Sequence, residues 1–237
     1  MKKSSDNKIY LGLAADLLRF SNEIRTENRF HLKNIFAAER IFEFAMKRRA
    51  YVLLKGTKLY RSRVNPSNTP LSMTEMGAPP PGKRSGGRLN PEGIACLYCA
   101  TDEVTAVSEI RPWVGSHITV VEVESKEKLK LIDFAGEAVP RSVSAFPDSK
   151  TFFQMALDNM FSSRFNPEDT TGYLPTQYLA EYFKVHGYDG LRYHSSLSES
   201  GKNIALFNED GVKFLETRQV KVTQVEYRIA DLLGKVI

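Results

Sequence analysis

The chain of 237 residues contains two cysteines, Cys96 and Cys99, and no apolar run of the roughly 18 residues that a transmembrane helix needs. Two cysteines exclude a disulfide framework, so we expect a cytoplasmic location and no membrane partner. The opening residues carry Asp16 and Arg19 before a clean apolar run can form, which argues against a secretory signal. Apolar residues nevertheless make up 42% of the chain, enough for a sizeable core.

Several common ligand-binding motifs are missing as well. The chain has no phosphate-binding loop ending in Lys-Ser/Thr, and no GxGxxG follows a predicted strand. Cys96 and Cys99 are spaced like zinc ligands, but no second ligand pair accompanies them, and on a strand they would face opposite sides. We therefore expect two small core residues and no metal site. The four histidines are scattered along the chain: His31, His117, His186 and His194.

Positive charge is concentrated near the start of the chain. Residues 1–60 carry a net charge of +7, whereas residues 61–237 carry −2. Such a basic segment most often forms the solvent-exposed face of a helix, so we do not expect nucleic acid as a partner.

The hydrophobic pattern predicts two helices at 8–20 and 33–50, which would form an N-terminal α-hairpin. One amphipathic hairpin cannot bury its own apolar face, so it should pack on the rest of the protein. We assign residues 1–55 to this hairpin and 56–237 to a second domain.

Strands and helices alternate irregularly after the hairpin. The alternation of apolar and polar residues predicts two paired strands at 117–123 and 129–134. It also predicts a strand at 219–229 with a bulge near Thr223. Without a regular βαβ order, the pattern favours an α+β fold. The other predicted elements are strand-like runs within 51–64, strands at 94–100, 188–194 and 203–208, and helices at 101–110, 148–162 and 175–186.

Residues 64–93 form the most unusual segment, because they hold six of the eleven prolines and five glycines. Such a composition sustains neither a helix nor a central strand. Loops of this length inside a compact domain are uncommon and are usually functional or disordered.

Six short segments around this loop resemble the RES domain, a family named for its Arg, Glu and Ser. Any one segment would be a weak signal, but their order and spacing over about residues 56–215 are specific. The matching segments are LYR (59–61), GGRLNPEG (86–93), LYCA (97–100), TAVSE (105–109), YDGLRYHSS (188–196) and NIALF (203–207).

The resemblance implies an ADP-ribosyltransferase-like mixed β-sheet core with flanking helices, preceded here by the hairpin. It also implies a toxin-like enzyme that consumes NAD as its substrate, without a metal, and that a cognate antitoxin protein neutralises. The acceptor is left open between water, phosphate and a protein side chain. Homo-oligomerisation is left open too.

The chemistry of these residues agrees with that activity. Arg61 and Arg88 suit a diphosphate, because a planar guanidinium donates to two oxygens at once. Gly87 lets the backbone approach an anion, and Tyr98 offers a flat face for nicotinamide. The resemblance makes Arg61, Glu109 and Ser195 the catalytic residues. Arg61, Gly87, Arg88, Tyr98 and Ser195 are the expected NAD-binding residues.

Several alternatives stay open. Arg63 lies on the same strand face as Arg61, and Ser196 is adjacent to Ser195. Arg25 and His31 are spaced as in HEPN ribonucleases, which makes RNA cleavage a second hypothesis. A third is a non-catalytic module in which the hairpin binds a partner.

Overall fold

An eight-stranded mixed sheet lies at the centre of the computed structural model, which describes residues 2–80, 82–136, 148–163, 169, 171–198 and 200–226. The spatial order of the strands is β1-β5-β6-β7-β3-β2-β4-β8. Their bounds are β1 Ala50–Leu53, β2 Lys58–Val64, β3 Leu97–Ala100, β4 His117–Ser125, β5 Leu129–Phe134, β6 Gly190–His194, β7 Lys202–Leu206 and β8 Val212–Lys221.

Five α-helices flank this sheet in the described ranges: α1 Lys2–Thr26, α2 Ile35–Arg48, α3 Glu103–Glu109, α4 Ser149–Ser162 and α5 Leu174–Val185. Strands β5 and β6 run parallel, and the other neighbouring pairs are antiparallel. The predicted α+β class with flanking helices is therefore confirmed. Within these same ranges, no helix is long and apolar enough to cross a membrane.

The predicted pairing of residues 117–123 with 129–134 is wrong, although both segments are strands. Strand β4 lies between β2 and β8, and β5 lies between β1 and β6. Alternation along a strand identifies its two faces but carries no information on its neighbours. Pairing across many residues of chain has to come from the packing of the whole sheet.

The predicted bulge near Thr223 is also misplaced. Strand β8 ends at Lys221, which pairs with His117 at the first position of β4, so Thr223 lies beyond the strand. The register passes from Val121 opposite Thr217 to Val123 opposite Phe214, which puts one extra residue in β8 there. Residues 227–229 of the predicted strand lie outside the described residues.

The N-terminal hairpin is present, with α1 extending further in both directions than the pattern predicts. Asn34 begins α2 by accepting a hydrogen bond from the backbone N–H of Ala37. The two helices pack on α4 and α5, and all four contribute to one hydrophobic core. The buried hairpin residues include Leu13, Leu17, Phe20, Ile24, Ile41, Phe42 and Ala45.

The sheet separates that helix-covered core from a second, smaller core. Cys96 belongs to the first core and Cys99 to the second, so the two cysteines do face opposite sides as predicted. Burial raises the pKa of each thiol to about 12. Both are therefore neutral, inert core residues at neutral pH.

Candidate active site

A row of side chains across four strands forms the floor of a cleft. Tyr193 on β6 pairs with Asn203 on β7, Asn203 with Ala100 on β3, and Ala100 with Tyr60 on β2. Residues directly opposite each other in a sheet point to the same face. All four of these residues line the cleft, which has a volume of about 430 Å³. That volume lies within the usual range for a small-molecule site.

Helix α3 forms one wall of the cleft. Asp102 begins the helix by accepting a hydrogen bond from the backbone N–H of Thr105. The hydroxyl of Ser62 donates to the carbonyl of Ala106 and ties the helix to β2. Glu109 is the last residue of α3 and lines the cleft.

Two side chains hold the carboxylate of Glu109. The Oγ of Ser195 donates to Glu109 Oε1 over 2.6 Å, and the amide of Asn203 donates to the same oxygen over 2.7 Å. Asn203 is buried on β7, and Ser195 directly follows β6. The carboxylate is thus fixed in position by residues from two strands that the sequence places far from α3.

Ser195 and Ser196 have different positions. The Oγ of Ser195 accepts from the backbone N–H groups of Leu197 and Ser198 while it donates to Glu109, which accounts for its single proton and both lone pairs. Ser196 lines the cleft, whereas Ser195 does not. In this arrangement Ser195 orients Glu109, and Ser196 is the serine at the cleft surface.

Arg61 contributes to the cleft wall, but backbone carbonyls hold its guanidinium. Its nitrogens donate to Met76 O, Tyr98 O and Gly77 O over 2.7, 2.9 and 3.3 Å. Only 9% of the residue is exposed, and this burial lowers the pKa of the guanidinium. Arg61 forms no ion pair within the described part of the chain, so its positive charge is not neutralised by a carboxylate in contact with it.

Arg88 also lines the cleft. Its Nη1 donates to the carbonyl of Ser163 over 2.8 Å, and its guanidinium lies over the ring of Tyr173 at 5.0 Å from the ring centre. The ring of Tyr193 is 5.8 Å away on the cleft floor. These contacts fix a half-buried cation between two aromatic rings.

Tyr98 joins the cleft to the long loop. Its hydroxyl donates to Asn90 Oδ1 over 2.7 Å and accepts from the backbone N–H of Leu89. The amide of Asn90 in turn donates to three carbonyls of the same loop. Val64 ends β2, and the described residues of 65–93 form no α-helix or strand, but these bonds give the loop a defined structure.

Gly87 does not line the cleft. Its N–H donates to the carbonyl of Asn90 over 2.8 Å, so this donor is already in use in the present conformation. A Cβ at Gly87 would lie 2.7 Å from Asn90 Oδ1 and 2.8 Å from the Tyr98 hydroxyl. The glycine therefore permits the close packing of the loop on Tyr98.

Replacing Gly87 with alanine should lower the free energy of unfolding by about 1–3 kcal/mol, because the added methyl group must displace the Tyr98–Asn90 bond. Gly86→Ala is the matched control, since its Cβ would meet its nearest neighbour at an ordinary 3.4 Å. Urea unfolding of both variants measures the difference. Equal stability of the two variants would contradict this role.

The other residues singled out in the sequence lie elsewhere. Arg63 does not line the cleft and donates to the carbonyl of Glu75. Arg25, in the last turn of α1, pairs with Asp169 at 3.0 Å, and His31 lies in the segment that joins α1 to α2. Neither of these last two lines the cleft.

The cleft lining includes residues that the sequence analysis did not single out, among them Tyr60, Arg111, Tyr173 and Asn203. Tyr60 and Asn203 lie inside the segments that carry the resemblance, but their common orientation depends on the order of the strands. The described lining holds three arginines, at positions 61, 88 and 111, and one carboxylate, Glu109. The cleft is therefore positively charged and suits an anionic ligand.

Among the solved structures similar to this chain is the crystal structure of the M. tuberculosis MbcT–MbcA toxin–antitoxin complex, which is 11% identical, with 76% of this chain and 92% of that chain covered and a TM-score of 0.47. No curated protein matches the chain in sequence. The family model of the RES domain matches residues 58–229, which include every residue of the cleft. The chain belongs to the RES domain family.

Proposed function

We propose that this protein cleaves the nicotinamide–ribose bond of NAD. The observation that carries the proposal is that one cleft is lined by a carboxylate fixed in position, Glu109, and by three arginines, of which Arg61 is bound by backbone carbonyls. NAD offers two phosphates for the cations and a glycosidic bond whose cleavage needs a negative charge nearby. Family membership supports the same activity.

Cleavage requires the bond between C1′ of the ribose and the nicotinamide nitrogen to break. The bonding electrons leave with nicotinamide and neutralise its ring, so positive charge develops on the ribose. Glu109 is the carboxylate that stabilises this charge, and Ser195 and Asn203 hold it in place. An acceptor oxygen then bonds to C1′ and gives up its proton. Water, phosphate and a protein side chain all remain acceptors under this scheme.

The aromatic side chains of the cleft would position the substrate. Tyr193 is buried and Tyr98 is half-buried, and desolvation raises the pKa of both phenols, so each ring stays neutral. Neutral rings in a partly desolvated cleft provide flat surfaces against which nicotinamide or adenine stacks. Arg88, held between Tyr173 and Tyr193, is well placed to contact a phosphate near those rings.

We further propose that the protein acts as a growth-arresting toxin of the cytoplasm with an antitoxin as its partner, and that its catalytic domain has an ADP-ribosyltransferase-like fold. These parts of the proposal rest on the family resemblance. The division at residue 55 is likewise a proposal. The hairpin would then act as a cover for α4 and α5, since it shares their core and contributes nothing to the cleft.

The direct test is incubation of the purified protein with NAD. We expect release of nicotinamide, measured by chromatography, and the fate of the ADP-ribose identifies the acceptor. Free ADP-ribose indicates water, a phosphorylated product appearing only with added phosphate indicates phosphate, and label retained on protein indicates transfer to a side chain. No release of nicotinamide under any of these conditions would contradict the proposal and favour a non-catalytic binding module.

A further inference from the structure

Arg111 differs from the other two arginines of the cleft. Its side chain is exposed, and its guanidinium forms no hydrogen bond or ion pair with any residue in the described part of the chain. Arg61 by contrast uses three nitrogens on backbone carbonyls, and Arg88 uses one on Ser163. Arg111 is thus the arginine of the cleft whose guanidinium keeps all of its donors available for an anion, as far as the described residues show.

The backbone at Arg111 is unusual as well. Its φ is +47°, in the left-handed region, where a long side chain is uncommon and the conformation is strained. Arg111 lies two residues after Glu109, the last residue of α3, and directly precedes Pro112. Strained backbone of this kind concentrates at functional sites, where it aims a side chain.

The short separation from Glu109 adds a second argument. Two residues apart at the end of one helix, Glu109 and Arg111 both line the same cleft. In NAD the diphosphate is joined to the ribose that carries the scissile bond. A carboxylate for that ribose and a guanidinium for that diphosphate would therefore be needed close together.

We propose that Arg111 binds the diphosphate of the dinucleotide, a role that sequence reasoning assigns to Arg61 and Arg88. The inference rests on the proposed function and deepens it, because it names the residue that recognises the charged part of the substrate. Arg61, already engaged by three carbonyls, then organises the cleft wall. Arg111 supplies the free donors that a diphosphate requires.

The test uses Arg111→Asn and Arg111→Lys with ADP as the probe, since ADP has the diphosphate and lacks the scissile bond. Asparagine tolerates the left-handed backbone, so loss of charge is separated from backbone strain. We expect Arg111→Asn to bind ADP about 10- to 100-fold more weakly in calorimetry, and adenosine unchanged. Arg111→Lys should retain most of the affinity for ADP, and the thermal midpoint of Arg111→Asn should not fall.

Arg29→Asn is the matched control, because Arg29 is exposed and lies outside the cleft and the substitution removes the same charge. It should bind ADP like the wild type. With NAD as substrate, Arg111→Asn should raise KM by a similar factor and change kcat much less.

Equal ADP binding by the wild type and Arg111→Asn, or no ADP binding by the wild type, would overturn the inference even if NAD is cleaved. An effect of Arg111→Asn confined to the dependence on added inorganic phosphate would also overturn it, since the residue would then serve the acceptor. Conversely, Arg111-dependent ADP binding without any release of nicotinamide would sink the proposed reaction and leave this binding role standing.

Discussion

Glu109→Gln should lower the rate of nicotinamide release by about 10²- to 10³-fold, the usual cost of removing one preorganised electrostatic partner of a transition state. The substitution is close to isosteric. A glutamine oxygen can still accept from Ser195 and Asn203, which donate to Glu109 Oε1 over 2.6 and 2.7 Å. The packing of α3 is therefore retained, and the change is confined to the loss of negative charge beside the ribose.

Glu103→Gln provides the control for this variant. Glu103 lies in the first turn of the same helix and pairs with Arg218 at the surface, outside the cleft. Its replacement should leave turnover unchanged, because exposed ion pairs contribute little. Steady-state rates and thermal unfolding of both variants are the measurements. Wild-type turnover in Glu109→Gln would reject the role of the carboxylate, whatever the outcome for the rest of the cleft.

Ser195→Ala extends the comparison to the group that orients the carboxylate. The variant keeps the negative charge but removes one of the two bonds to Glu109 Oε1, so the rate should fall less than in Glu109→Gln. A greater loss in Ser195→Ala than in Glu109→Gln would instead indicate direct contact between the serine and the substrate.

The sequence predicts the composition of this site better than its geometry. Arg61, Arg88, Tyr98 and Glu109 all line one cleft, and the order of short segments was sufficient to bring them together in a prediction. The reason is that each of these residues lies within one of the short segments that resemble the RES domain, so the segment identifies the residue without knowledge of the fold. Helix α3, Glu103–Glu109, also lies within the segment 101–110 that the sequence predicts to be helical.

The orientation of Arg61 could not be predicted in the same way. Alternation along β2 places Tyr60 and Ser62 on one face and Arg61 on the other, but the carbonyls that Arg61 reaches belong to Met76 and Gly77 in the long loop. The path of that loop depends on Asn90 and on the hydrogen bonds from Gln177 to the carbonyls of Gly87 and Asn90. No periodic pattern in the sequence encodes such contacts.

The strand pairing that forms the floor of the cleft could not be predicted either, because it joins segments that are far apart in the sequence. Asn203 aligns with Ala100 because β7 lies beside β3, two strands separated by about a hundred residues of chain. Their pairing results from the packing of the complete sheet. The errors in pairing β4 with β5 and in placing the β8 bulge have the same origin.

Arg61→Met should destabilise the protein more than any other single change in the cleft. Methionine retains the apolar contacts but leaves the carbonyls of Met76, Gly77 and Tyr98 without their donors in a buried position. The free energy of unfolding should fall by about 3–5 kcal/mol, at about 1–3 kcal/mol for each unsatisfied group and with partial relief by water.

Arg63→Met serves as the control, because half-buried Arg63, two residues further along β2, donates only to the carbonyl of Glu75 among the described residues. It should cost less than about 1 kcal/mol. Urea unfolding measures the stability of both variants. ADP binding, measured under conditions where each variant is folded, separates a structural role from substrate recognition.

If Arg61→Met unfolds like the wild type but no longer binds ADP, then Arg61 contacts the substrate itself and its hydrogen bonds to the carbonyls are incidental. A large loss of stability, with the ADP affinity of the folded fraction unchanged, would instead show that Arg61 supports the cleft wall. The reason is that a guanidinium bound by three carbonyls fixes the segment from Met76 to Gly77 against β3 whether or not substrate is bound.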